Sequence, residues 1–258
     1  MISPILKDSK FDRRVPLNYR GISLLCCSAK LYSSVLNTRI QKYLDDNNLL
    51  ADEQNGFRKG RSCEDHIFVF DSIIRNRLNE NLPTVAAFID LQKAFDCVNR
   101  DYLYHKLLNV GIEGKTYFAI KNMYSITEAC VRINNNVHTP WFQTNFGVRQ
   151  GDSLSPTLFS LFINDLANDI KESLLGVDIN GRNISILLYD DDIVIVAPNE
   201  HNLQGMLNIL DIWSNRWSMF LNNSKSKIVH FRNKTVCKSE FKFKVGNKDI
   251  LYVNKYKY

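Results

Sequence analysis

Apolar residues along this chain switch between a spacing of three to four, which buries one side of a helix, and short continuous runs that suit buried strands. Residues 1–20 are polar and read as loop. "GISLLCCSAKLYSSVLNTRIQKYL" (21–44) then sets Leu25, Ala29, Tyr32, Leu36 and Ile40 at helical spacing, which predicts an amphipathic helix. "NGFRKGRSCEDHIFVFDSIIRNRL" (55–78) opens as a glycine-punctuated basic loop and enters a second helix. Ser62 and Asp65 have capping-box spacing there, with Ile67, Phe70, Ile74 and Leu78 on one face.

"TVAAFIDL" (84–91) is a short apolar run suited to a buried strand, and "NRDYLYHKLLNVGI" after it predicts a helix starting near Asn99. Turn residues Asn134 to Asn136 divide "ACVRINNNVHTPWF" into two strand-like pieces, predicting a hairpin. "DSLSPTLFSLFINDL" carries Ser155 as N-cap and Pro156 at the first helical position. "LLYDDDIVIVA" (187–197) reads as a second hairpin reversing at Asp190 and Asp191. Leu203, Met206, Leu207, Leu210, Trp213, Ser214 and Trp217 then trace a helical stripe of core type. The order helix, helix, strand, helix, hairpin, helix, hairpin, helix indicates an α+β fold, without internal repeats, a low-complexity linker or a clear domain boundary.

At 258 residues and 45% hydrophobic, the chain can bury a substantial core. Its net charge of +6 favours a polyanionic partner without demanding one. The six cysteines are scattered, with no CxxC pair and no histidines at zinc-ligand spacing, which argues against structural zinc. Met1 is followed by Pro4, Lys7, Asp8 and Lys10 rather than by a secretory leader, and the apolar runs fall short of the roughly 20 residues that span a bilayer. These features predict a soluble protein of a reducing, intracellular environment, with no membrane partner.

Three consecutive aspartates, Asp190 to Asp192, between two buried strands change the picture. Aspartate tolerates turn geometry, which accounts for Asp190 alone. Three carboxylates held close cost energy unless a cation neutralises them. A calcium loop starting at Asp190 fails, because Val194, Ile195 and His201 occupy positions that need an oxygen ligand, a glycine and a glutamate. A few carboxylates that leave room for water and substrate phosphate suit magnesium. Asp90 ends the apolar strand of "FIDLQKAFD". If that strand lies beside the aspartate hairpin, three carboxylates from two elements can hold two metal ions about 4 Å apart, the arrangement of phosphoryl transfer.

These segments resemble the reverse transcriptase domain of non-LTR (LINE-type) retrotransposons. "NYRGISLL" (18–25), "GFRKGRSCEDHI" (56–67), "FIDLQKAFD" (88–96), "GVRQGDSLSPTLFSLFINDL" (147–166), "YDDD" (189–192), "LNNSKSK" (221–227) and "YKY" (256–258) follow in that family's order across nearly the whole chain. The resemblance implies a right-hand polymerase fold with fingers and palm, the thumb missing. Residues 1–84 would be mostly fingers, 85–248 mostly palm, and 249–258 the start of the primer grip. It implies an RNA-directed DNA polymerase that adds deoxynucleotides from their triphosphates to a DNA primer on an RNA template, using two Mg2+ ions, with Mn2+ as the alternative.

By the same resemblance, Asp90, Asp191 and Asp192 match the catalytic carboxylates, and the backbone carbonyl of Leu91 would join them in holding metal. Phe95 matches the bulky residue that excludes a 2′-hydroxyl, and Gln150 and Gly151 match the template and nucleotide contact. Arg58 and Arg61 would meet phosphate or template backbone. Lys225 or Lys227 would assist proton transfer to pyrophosphate, the choice between them being open. Asp190 departs from the family's usual small or apolar residue. Two other readings stay open: a catalytically inactive, truncated retroelement remnant that binds nucleic acid, and a group II intron or other prokaryotic-type reverse transcriptase.

Overall fold

A computed structural model describes residues 1–134 and 137–256. In chain order its elements are β1 (Ile2–Leu6), β2 (Tyr19–Ser23), α1 (Cys27–Asp46), α2 (Cys63–Asn79), β3 (Thr84–Asp90), α3 (Ala94–Cys97), α4 (Arg100–Asn109), α5 (Gly114–Ser125), β4 (Glu128–Ala129) and β5 (Phe142–Gln143). There follow α6 (Ser155–Glu172), β6 (Val177–Ile179), β7 (Arg182–Ile184), β8 (Ile186–Tyr189), β9 (Asp192–Ala197), α7 (Glu200–Trp217), β10 (Lys227–Phe231), β11 (Phe243–Val245) and β12 (Lys248–Tyr252). They form two compact units, one of residues Met1–Leu49 and Phe95–Phe162, the other of Leu50–Ala94 and Ile163–Tyr258.

The second unit is built on a six-stranded sheet of order β11-β12-β10-β3-β9-β8, antiparallel throughout except between β10 and β12. β3 has neighbours on both sides, and both of its faces are covered, so its sequence runs apolar without alternation. Val85, Ala86, Ala87 and Ile89 are completely buried. Ala86 and Phe88 share a cluster with Val196, Val229 and Ile73, against which Phe70 and Tyr256 pack. α7 packs along β3, β9 and β11 through Leu203, Met206, Leu207, Leu210 and Trp213, which makes the predicted stripe core. Each of these side chains contributes about 1.5–3 kcal/mol by leaving water.

The capping box forms as expected, with the Ser62 hydroxyl accepting from the Asp65 N–H and the Asp65 carboxylate accepting from the Ser62 N–H. Ile67, however, is exposed, and the buried positions of α2 are Ile73 and Ile74. The helix turns its apolar side to β3 only after its first turn.

The other unit pairs β1 with β2 and β4 with β5, both antiparallel. Residues 2–6 are therefore a strand rather than loop, because β2 offers a partner that local composition does not reveal. Gly21–Ser23 likewise belong to β2, so the expected first helix begins six residues later, at Cys27, and buries Ser33, Leu36, Ile40 and Leu44 while Tyr32 stays exposed. Asn99 caps α4 as predicted, its side chain accepting from the N–H groups of Asp101 and Tyr102. The predicted hairpin after Ala129 forms, with Arg132 bridging to His138, although Asn135 and Asn136 of its turn lie outside the described residues. α6 starts at Ser155, one residue before the expected first helical position.

In the same unit the buried Arg100 guanidinium donates to the carbonyls of Tyr124 (3.2 Å), Thr144 (2.6 Å), Phe146 (3.0 Å) and Gly147 (3.0 Å). These bonds disperse a buried charge over carbonyl dipoles and fix the segment that leads into Gln150 and Gly151. Among the described residues no helix is long and apolar enough to cross a membrane.

Candidate active site

Asp90 is the last residue of β3, where the sheet opens. Its Cα partner on β9 is Asp192, so the two side chains leave the same face of the sheet directly opposite each other. On the other side of β3 the chain between Leu221 and β10 loops out and wraps the Asp90 backbone. The Asn222 N–H donates to the Asp90 carbonyl (2.8 Å), and the Asp90 N–H donates to the hydroxyl of fully buried Ser226 (3.1 Å). Leu91 bridges Leu221, with the Asn222 N–H reaching the Asp90 carbonyl and the Gln92 N–H the Phe220 carbonyl (2.7 Å), so Leu91's own carbonyl is not used there.

The turn consists of Asp190 and Asp191, with Tyr189 paired to Asp192. Asp190 takes the left-handed conformation (φ 59°), which aspartate accepts more readily than most residues. Its carboxyl is mostly buried, and burial together with the charges of Asp191 and Asp192 pushes its pKa up to about 8. Its Oδ1 is buried without a hydrogen-bond partner among the described residues. Asp191 is half-buried and Asp192 exposed.

The segment just before the basic loop holds this turn, a role the sequence reading missed. Gln54, completely buried, donates from Nε2 to the Asp190 carbonyl (3.3 Å) and accepts at Oε1 from the Asp190 N–H (3.0 Å) and the Gly56 N–H (2.9 Å). The flanking backbone adds bonds from the Asn55 N–H to the Leu188 carbonyl (2.9 Å) and from the Leu188 N–H to the Glu53 carbonyl (2.8 Å). A polar residue two places before a glycine is the sole local hint of this in the sequence. Arg58 donates to the Ala51 carbonyl (2.9 Å), and Arg61 donates to the Asp52 carboxylate (2.6 Å) and holds its pKa below the usual range. Both guanidinium groups thus brace the loop on which they were expected to meet phosphate.

Of the two candidate lysines, Lys225 lies 3.5 Å from Asp90 Oδ1, whereas Lys227 turns back to the Ser224 carbonyl. Tyr256 donates its hydroxyl to the Lys225 carbonyl (2.8 Å) and packs its ring on Phe88. Burial, then the charges of Asp90 and Asp192, raises the Tyr256 pKa. Of the "YKY" expected to begin the primer grip, Lys257 and Tyr258 lie outside the described residues.

The remaining expected residues belong to the first unit. Phe95 is half-buried and stacks on Phe159 (centroids 4.9 Å apart, planes at 16°). Gln150 donates from its side chain to the Asp96 carboxylate (3.2 Å) and accepts at its carbonyl from the Ser23 N–H (2.7 Å). Gly151 has φ 97°, and a Cβ there would come within 3.3 Å of the Ser23 carbonyl, so both conformation and space favour glycine. Phe95, Gln150 and Gly151 are thereby linked through Asp96 and the segment Gly147–Val148, whose N–H groups donate to the Val98 and Phe95 carbonyls (both 2.8 Å).

Residues 5–253 match the family described as reverse transcriptase (RNA-dependent DNA polymerase). The chain belongs to this family. Relatives of the reverse transcriptase chain include a probable RNA-directed DNA polymerase from transposon BS of Drosophila melanogaster, 29% identical over 227 residues covering 86% of this chain and 24% of the relative. A 149 kDa protein of transposon TX1 from Xenopus laevis is 27% identical over 223 residues, 86% of this chain and 17% of its own length. The reverse transcriptase chain therefore spans about a quarter or less of these relatives. Their names agree with the resemblance to non-LTR retrotransposons. Among solved structures, telomerase from Candida tropicalis truncated from its C-terminal domain superposes with a TM-score of 0.59 at 13% identity, over 90% of this chain and 51% of that one. Telomerase from Candida albicans does so at 0.58, also 13% identical, over 84% and 36%. The fold is the right-hand polymerase fold.

Reverse transcriptases use divalent metal ions, and the donor set around Asp90 suits them in kind. Among the described residues no three His, Cys, Asp or Glu side chains converge closely enough to form a ready-made metal cage. Magnesium does not require one, since it is bound through one or two carboxylates with water and substrate phosphate completing its octahedron. Asp90 opposite Asp192, with Asp191 at the adjoining turn, places carboxylates of that kind close together.

Proposed function

We propose that this chain is the polymerising part of an RNA-directed DNA polymerase, which transfers deoxynucleotides from their triphosphates to a DNA primer on an RNA template. The observation that carries this reading is the register that sets Asp90 opposite Asp192 beside the Asp191 turn. Two Mg2+ ions, or Mn2+, held by Asp90, Asp191, Asp192 and the Leu91 carbonyl, would lower the pKa of the primer 3′-hydroxyl and neutralise charge building on the triphosphate. Ser226 and Asn222 keep Asp90 in place through its backbone. Lys225, already at the Asp90 carboxylate, is the better placed of the two lysines to meet the leaving pyrophosphate, with Lys227 bracing its loop.

In this reading Phe95 excludes a 2′-hydroxyl, Gln150 and Gly151 contact the template and nucleotide, and Arg58 and Arg61 meet template or nucleotide phosphate. Residues 1–84 contribute mostly to fingers, 85–248 mostly to palm, and 249–258 begin the primer grip. Primer extension on a defined RNA template with magnesium tests the reading. The unmodified chain extends the primer, and Asp90→Asn reduces the rate by at least about 100-fold, since removing a metal ligand forfeits several kcal/mol of transition-state stabilisation. Folded protein that binds RNA but extends nothing, or extends equally well as Asp90→Asn, would overturn it in favour of a non-catalytic nucleic-acid-binding remnant.

A further inference from the structure

The strongest unexplained polar group in the sheet unit is Gln54. Glutamine is seldom wholly buried unless its amide is satisfied, and this one spends both ends of its amide on the backbone of a single residue of the aspartate turn. Its orientation is unambiguous, because two backbone N–H groups converge on Oε1 and a carbonyl faces Nε2. Gly56 brings the segment into contact with the same residue: a Cβ there would lie 2.3 Å from the Asp190 nitrogen. Phe57 follows at φ 56°, a left-handed conformation uncommon for an aromatic residue and sustained only where the surroundings hold it.

We infer that Gln54 is a positioning residue for the metal-binding carboxylates: its side-chain amide, with the close approach of Gly56, clamps the backbone of Asp190 and so sets where Asp191 and Asp192 present their oxygens. The physical need is plain. The turn crowds three carboxyl groups together, and the hydrogen bonds across β8 and β9 end at Tyr189 and Asp192. Beyond that pair the Asp190 N–H and carbonyl have no strand to bind, and the Gln54 amide replaces the missing partner. Groups that orient ligands in this way typically affect metal affinity or activity about 10- to 100-fold when removed.

The inference rests on the polymerase reading, and its test is chosen to separate the two. Mn2+ binding to the chain is measured by electron paramagnetic resonance without nucleotide or primer, alongside kcat and KM in primer extension. Gln54→Met, which keeps volume and loses both hydrogen bonds, weakens Mn2+ binding by about 10-fold or more and lowers kcat with little change in KM for the nucleotide. Gly56→Ala, which presses on the same turn from another atom, does the same, and Gln54→Glu, which retains the acceptor but not the donor, falls between. If Gln54→Met does not fold, the other two variants decide. Folded variants that bind Mn2+ as the unmodified chain does would overturn the role of Gln54 while leaving the polymerase reading intact. An unmodified chain that binds no Mn2+ would sink both.

Discussion

Asp90 and Asp190 both close apolar strands of one sheet, yet their surroundings are built to opposite effect. Around Asp90 the chain grips the backbone through the Asn222 N–H and the buried Ser226 hydroxyl, and it also brings the Lys225 ammonium to 3.5 Å from the carboxylate. Around Asp190 it supplies hydrogen bonds to the backbone alone, while the carboxyl is buried beside two like charges with one oxygen orphaned. In the proposed function the first carboxylate is the one that meets a cation. The second is a local cost tolerated because its backbone is needed in a left-handed turn.

The sharpest way to break that contrast is Asp190→Asn, which keeps the turn conformation and removes the titrating group. In metal-free buffer at pH 7 it raises the unfolding free energy by about 1–3 kcal/mol, because the buried carboxyl no longer has to be held protonated against its ordinary pKa. The sign follows from the pKa of about 8 in the fold against an ordinary 3.8. The folded state retains a proton that the unfolded state releases, so the native chain carries no penalty below the lower value and loses stability as pH rises toward the upper one. The gap in melting temperature between the variant and the unmodified chain accordingly widens across that window; a gap independent of pH would contradict the burial of the carboxyl.

Lys225→Met probes the Asp90 side with a smaller effect. Lys225 competes with any cation for Asp90, but its side chain is 62% exposed and the pair is a weak one. Titration in low salt shows about two- to fivefold tighter Mn2+ binding for the variant, and the difference vanishes at high ionic strength. Tyr256→Phe acts on stability rather than on binding, with an effect of similar size. Losing its bond to the Lys225 carbonyl costs about 0.5–1.5 kcal/mol in denaturant unfolding, with the ring contact to Phe88 preserved.

What could be read in the sequence divides along physical lines. The run "VAAFID", the Asn99 cap, the capping box at Ser62 and the reversal at Asp190 and Asp191 depend on neighbours within a few residues, and each stands where local chemistry put it. β1, β10, β11 and β12 are short strands whose identity depends on distant partners, so periodicity alone passed over them. The same division applies to the site. Asp90, Asp191 and Asp192 announced themselves as charges in apolar surroundings. Gln54, Ser226 and Tyr256 act through hydrogen bonds to chain 136, 136 and 31 residues away, and nothing in their immediate neighbours marks them. The choice of Lys225 over Lys227 also needed the loop between Asn222 and Ser226, whose path no spacing rule specifies.

The place of β3 at the middle of the sheet has a consequence in time. Both of its neighbours, β9 and β10, are encoded more than a hundred residues after it, and the groups that grip Asp90 and Asp190 bridge 136 residues. At roughly 5–20 residues per second a ribosome needs about 7–27 s to deliver that span. Throughout the interval this buried, apolar strand has neither edge paired. Nascent chains then carry an exposed, unpaired strand edge from Thr84 to Ile89 that can mispair with another chain before β9 and β10 arrive.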